Sequence, residues 1–165
     1  MKLQETTQFD GRSYEVTWQD VGNLPPRNQV TQVSAICYSS DNQIVMISGD
    51  GCHWGIPGGH PESEESLEEA LRREVREEAC CDINQMRLLG WQHVRDKCDN
   101  SVHYQLRYCC LVNVETFRPE HEIAYRQLIA PDEFLDRLEY GTSVIAQEMF
   151  ALAQKTLISM KSEKQ

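Results

Sequence analysis

The alternation of apolar and polar positions is clearest late in the chain. Val102, Tyr104, Leu106, Tyr108, Cys110, Val112 and Val114 fall on one side, with His103, Gln105 and Arg107 opposite. A period of two predicts a strand. Val30 to Tyr38 and Gln43 to Ser48 predict two more, joined by a turn at Ser39-Ser40-Asp41-Asn42. The second holds Ile44-Val45-Met46-Ile47, an apolar run of the kind buried on both faces. Further strands are predicted over Met86 to Arg95 and Ile123 to Ile129, with a polar loop at Asp96 to Ser101. Near the start, Lys2 to Phe9 and the alternating Tyr14, Val16 and Trp18 flank Asp10-Gly11, a hairpin pattern. Val21-Gly22-Asn23-Leu24-Pro25-Pro26-Arg27 then reads as a linker.

Elsewhere the period changes to that of a helix. Leu67, Leu71 and Val75 recur every fourth residue behind Ser66, which with Glu69 predicts a capping box. Ile145, Met149, Leu152 and Thr156 give a last helix one buried face, opened by Thr142 or Ser143. Pro131-Asp132-Glu133 opens a short helix, and Lys161 to Gln165 is predicted to fray. Strands with separated helices predict an α+β class, a mixed β-sheet between helices. The expected organisation is a hairpin and linker over residues 1–27 and a main domain over 28–165. The Tyr14, Val16 and Trp18 face has two possible seats, on its own domain or on a second subunit, so a homodimer stays open.

Composition narrows the function classes. The net charge of −10 argues against a general nucleic-acid binder, which needs a basic footprint. No apolar run reaches membrane-spanning length and the first residues lack a signal-peptide core, so a cytoplasmic protein is expected. The seven cysteines are odd in number, with Cys80-Cys81 and Cys109-Cys110 adjacent and no Cys-x-x-Cys. That is no disulfide framework, and it fits a reducing compartment.

The chemistry concentrates between residues 58 and 81. Gly58-Gly59 leads through Glu65 into a helix carrying Arg73-Glu74-Val75, then Glu77-Glu78. Glu74, Glu77 and Glu78 stand at i, i+3 and i+4, so they project from one side of the helix. Three like charges repel, and an all-carboxylate set calls for a hard divalent cation. The spacing from Gly59 through Glu78 resembles the signature of the Nudix hydrolase family. Cys80 stands where that signature usually has glycine, at a position that closes the helix with a left-handed turn.

The resemblance implies an α/β/α sandwich and metal-dependent cleavage of a diphosphate linked to a nucleoside or similar group. It implies that Glu74, Glu77 and Glu78, with the Gly58 carbonyl, hold Mg²⁺ or Mn²⁺, that Arg73 braces a glutamate and that Glu65 supports the loop. The water-activating base differs within the family; it is a box glutamate or a later carboxylate, with Glu122 the candidate and Glu120 the reserve. Gly59, His60, His103 and Arg107 are candidates to meet substrate. The expected substrate is a small nucleotide, favoured as a nucleoside triphosphate cut to monophosphate and pyrophosphate. The alternatives are a nucleotide-sugar or ADP-ribose-type pyrophosphatase, or a non-catalytic nucleotide-binding module; the three box glutamates argue for the enzyme.

Overall fold

Asp10 and Gly11 both adopt positive φ, 50° and 76°, the geometry of a two-residue hairpin turn that matches strand twist. They join β1 (Gln4–Phe9) to β2 (Arg12–Asp20) in a computed structural model that describes residues 2–163. The chain continues through β3 (Val30–Tyr38), β4 (Ile44–Ser48), a two-residue β5 (Gly58–Gly59) and α1 (Leu67–Ala79). It closes with β6 (Cys81–Asp96), β7 (Val102–Val114), β8 (Tyr125–Ile129), α2 (Phe134–Arg137) and α3 (Val144–Ser162). One sheet runs β1-β2-β6-β7-β3-β4-β8, with β5 paired to β3. The β3–β7 pairing is parallel and the rest are antiparallel, so the sheet is mixed as expected.

Period-two patterning sorts the side chains of β3 and β7 between two helices. Val33, Ala35, Cys37, Leu106, Tyr108 and Cys110 pack with Ala70, Leu71, Val75 and Ala79 of α1. Ile36, Tyr38, Cys109 and Leu111 face Ile145, Met149, Ala153 and Leu157 of α3 on the other side. The sheet is thus the middle layer of an α/β/α sandwich.

The hairpin packs on its own domain. β2 pairs with β6 from Tyr14↔Asp96 to Asp20↔Gly90. Trp18, buried at 3% exposure, lies over Gly90, where any Cβ would run into the indole.

Four expectations need correction. The strand predicted from Met86 begins at Cys81; register shifts between Ile83 and Gln85 and between Leu88 and Gly90 break its alternation. The strand predicted from Ile123 begins at Tyr125. The buried face of α3 runs through Ile145, Met149, Ala153, Leu157 and Met160, while Leu152 and Thr156 sit at its margin. Lys161 and Ser162 continue that helix, and the predicted fraying of Lys164 and Gln165 lies outside the described residues.

Candidate active site

Ser66 Oγ accepts the Glu69 N–H at 3.0 Å and satisfies one of the free donors at the start of α1. Burying Ala70, Leu71, Val75 and Ala79 then fixes the rotation of the helix and leaves Glu74, Glu77 and Glu78 beside the buried stripe. β5 runs alongside, with Gly58 registered to Ser34 and Gly59 to Val33. The Gly58 N–H donates to Glu78 Oε1 at 2.8 Å. A Cβ on Gly59 would collide with the Glu74 carboxylate. The two glycines therefore let backbone and carboxylates approach more closely than any other residue permits.

Arg73 ties this arrangement together. Its Nε and Nη2 grip Glu65 in a two-pronged pair, 2.7 and 2.9 Å, and its Nη1 reaches Glu74 Oε1 at 2.8 Å and Glu77 Oε2 at 3.3 Å. Nη2 also donates to the His60 carbonyl at 3.2 Å. Glu65 accepts the Glu62 N–H at 2.9 Å, and the hydrogen bond from Arg73 holds its carboxyl down at about 2. His60 is anchored through Nδ1 to the Thr31 carbonyl at 2.8 Å, which leaves Nε2 for other partners. Sequence reasoning missed Arg27, whose Nη2 donates to the carbonyls of Glu62 and Glu65, 2.8 Å each. Its place in an apparent linker gave no signal.

Glu120, His121, Glu122 and Ile123 form the opposite wall of a concavity of about 260 Å³ that Glu74, Glu77 and Glu78 line from the helix side. The expected pairing of box and later carboxylates is thus brought about. Burial, opposed by the Gly58 N–H and aided by the charges of Glu74, Glu77 and Glu122, raises the Glu78 carboxyl to about 7. Among the described residues, no three His, Cys, Asp or Glu side chains already converge as a ligand set. Glu74 leans on the Arg73 guanidinium and Glu78 on the Gly58 N–H. The donors are all oxygen, which fits Mg²⁺ or Mn²⁺.

The end of α1 is closed by unusual means. Cys80 takes the left-handed conformation (φ 53°, ψ 48°) that glycine adopts at less cost. Its thiol accepts the Arg118 N–H at 3.4 Å and contacts the Arg118 carbonyl at 3.7 Å. Arg126 of β8, also missed by sequence reasoning, donates to the carbonyls of Ala79 (2.7 Å) and Glu115 (2.9 Å) and stacks 5.1 Å from the Phe117 ring. Cys80 and Arg126 together moor the loop leading to Glu120 and Glu122 against the helix that carries Glu77 and Glu78. Cys80→Gly relieves the left-handed strain but loses the thiol contacts. We expect stability to change by no more than about 1 kcal/mol either way, and turnover to stay within about threefold. Denaturant melts and initial rates check this; inactivation with the fold intact would show that the thiol's hold on Arg118 is needed for catalysis.

His103 and Arg107 lie elsewhere. They are four residues apart on the α3 face of β7, about 13 Å along the strand. Burial lowers the pKa of both side chains. Arg107, a candidate to meet substrate, is only 6% exposed, on the side of the sheet where α3, Trp18 and Leu138 pack.

Comparison with known proteins agrees with this geometry. The family model described as NUDIX domain matches residues 28–149. The protein named 8-oxo-dGDP phosphatase NUDT18 from Danio rerio is 32% identical over 92 residues, 53% of this chain and 28% of that protein, so the chain spans under a third of that relative. The pyrophosphohydrolase BsRppH of Bacillus subtilis superposes with a TM-score of 0.71 at 18% identity, covering 87% of this chain and 92% of that one. The NUDIX domain of Shewanella oneidensis NrtR, solved with ADP ribose, superposes at 0.60 with 17% identity, covering 82% and 94%. At such identities the structures establish the fold.

Proposed function

The chain belongs to the NUDIX hydrolase family, and from that premise we propose that it is a divalent-metal-dependent hydrolase of nucleotides containing linked phosphates. The favoured reaction takes a nucleoside triphosphate to the monophosphate and pyrophosphate. One observation carries the reading: three box glutamates and two loop glutamates line a single concavity beside a glycine pair. Mg²⁺ or Mn²⁺, held by Glu74, Glu77 and Glu78 with the Gly58 carbonyl, would neutralise phosphate charge and acidify water there.

The chain's own residues do the remaining work. Arg73 and Glu65 brace the helix and loop and are positioning residues, since their hydrogen bonds go to protein groups. The backbone of Gly58-Gly59 admits a phosphate close to the helix because no side chain intervenes. Glu122, across the concavity from Glu78, accepts the proton of the attacking water, with Glu120 the reserve. His60 offers Nε2 to substrate from the rim of the loop.

Hydrolysis in ¹⁸O-water tests the reaction type. The label is expected in a phosphate product from a nucleoside triphosphate or another linked diphosphate, with no release of phosphate from AMP or p-nitrophenyl phosphate. Efficient phosphate release from those monoesters, abolished by Glu77→Gln, would mean the reaction is wrong. A nucleoside diphosphate belongs in the panel because of the name of the Danio rerio relative. ADP-ribose and a nucleotide sugar belong there as the alternative substrates. Tight nucleotide binding with no turnover of any of them would favour the non-catalytic module.

A further inference from the structure

Arg107 is a buried cation without an anionic partner. Its Nη2 donates to Gln105 Oε1 at 2.6 Å and its Nη1 makes a long contact with the Leu106 carbonyl at 3.4 Å. It forms no ion pair among the described residues, and burial is the main influence on it. Taking a guanidinium out of water against one neutral amide is unfavourable unless a further acceptor arrives. Ser34, the register neighbour of Arg107 on parallel β3, is 3% exposed, and its Oγ has no hydrogen-bond partner. Registered residues of paired strands point to the same face, so an unsatisfied hydroxyl and an unpaired guanidinium stand side by side. The Gln105 carbonyl is already used by Arg107, which leaves its NH₂ to donate. Tyr140, 43% exposed, lies within the field of Arg107.

This cluster is in line with the catalytic loop. Gly58, Ser34 and Arg107 occupy one register row across β5, β3 and β7. Two strand spacings separate Gly58 from Arg107, about 10 Å, comparable with the extent of a nucleotide from phosphate to base. β4 is registered to β3 only at Tyr38↔Ile44, and the two residues of β5 cover the β3 edge at Val33 and Ser34. A nucleotide whose phosphates lie at Gly58 on the α1 side would reach the α3 side around the edge that β5 forms on β3.

We infer that Arg107, Ser34 and Gln105 form the subsite for the substrate's base, and that their donors select a guanine edge over an adenine edge. The inference rests on the reading of the chain as a nucleotide hydrolase. A guanidinium fork matches two acceptors in a plane. Guanine presents N7 and O6 as such a pair, whereas adenine sets an amino donor beside N7.

Calorimetric binding of GMP and AMP in chelator tests the subsite without turnover or metal. Wild type is expected to bind GMP at least about tenfold more tightly than AMP. Arg107→Met keeps the volume and removes an unpaired buried charge, so the fold should survive, and the ratio should fall to within about twofold. Arg107→Lys keeps the charge but not the fork, and should retain less than half of the preference on a logarithmic scale. Ser34→Ala should weaken GMP binding about threefold and serves if Arg107→Met does not fold. With chelator replaced by metal, kcat/KM for GTP over ATP should follow the same order. Equal binding of GMP and AMP by wild type, or an unchanged ratio in Arg107→Met, would overturn the inference. So would Arg107-dependent binding of pyrophosphate as tight as that of GMP, which would make the cluster a phosphate site. Absence of turnover with the GMP preference intact would instead count against the hydrolase reading alone.

Discussion

Glu77→Gln and Glu78→Gln should each lower turnover by at least about a hundredfold while leaving the fold in place. The substitution keeps side-chain length and helix propensity. In Glu78→Gln the amide oxygen can still accept the Gly58 N–H that Glu78 Oε1 accepts now at 2.8 Å. What disappears is one negative charge in a concavity whose walls carry five glutamates. Glu68→Gln is the control: it sits on the same helix, exposed and outside the concavity, and should change turnover little. Initial rates beside thermal melts by circular dichroism separate the two effects. Equal losses in all three variants would point to the summed field of an acidic helix instead of ligation by particular carboxylates.

Removing divalent metal should abolish turnover, with Mg²⁺ or Mn²⁺ restoring it and Ca²⁺ restoring little. The donors around the concavity are carboxylates, and Mg²⁺ holds oxygen ligands in a tight octahedron at about 2.0–2.1 Å. Ca²⁺ takes more ligands at about 2.3–2.6 Å in looser arrangements, which would shift water and phosphate relative to one another. A readout besides activity is available. Metal at a hundred times its dissociation constant stabilises the folded protein by about 2.7 kcal/mol, so the melting temperature of wild type should rise with Mg²⁺ and that of Glu78→Gln should rise less. Full turnover in excess chelator would sink the metal mechanism.

The parts of the site legible in the sequence are those whose spacing is enforced by contact. Gly59 must clear Glu74, Gly58 must meet Glu78, and Glu65 must reach Arg73, so their offsets are fixed and readable. The alternation over β7 likewise gave the strand at its full length. Residues acting alone left no pattern. Arg126 and Arg27 each serve carbonyls from afar, and a carbonyl acceptor has no residue type to recognise. The first residues of β6 were hidden because bulges spoil its period. Part of the α3 face was hidden because Ala146 and Ala153 are too small to stand out as apolar. Arg107 was placed on a polar face by alternation. That alternation separates the two sides of a strand without saying whether either meets water.

The clasp of the N-terminal hairpin on β6 has a bearing on where this protein can be cut. The family match covers residues 28–149, but a chain trimmed to that stretch would lose Trp18 from above Gly90 and Ala153, Leu157 and Met160 from the core. It would also strip β6 of its partner from Gly90 to Asp96, leaving a long row of free N–H and C=O groups, a template for intermolecular pairing and aggregation. Arg27 would go too, releasing the Glu62 and Glu65 carbonyls. The stretch that carries the chemistry is shorter than the stretch that must fold to hold it.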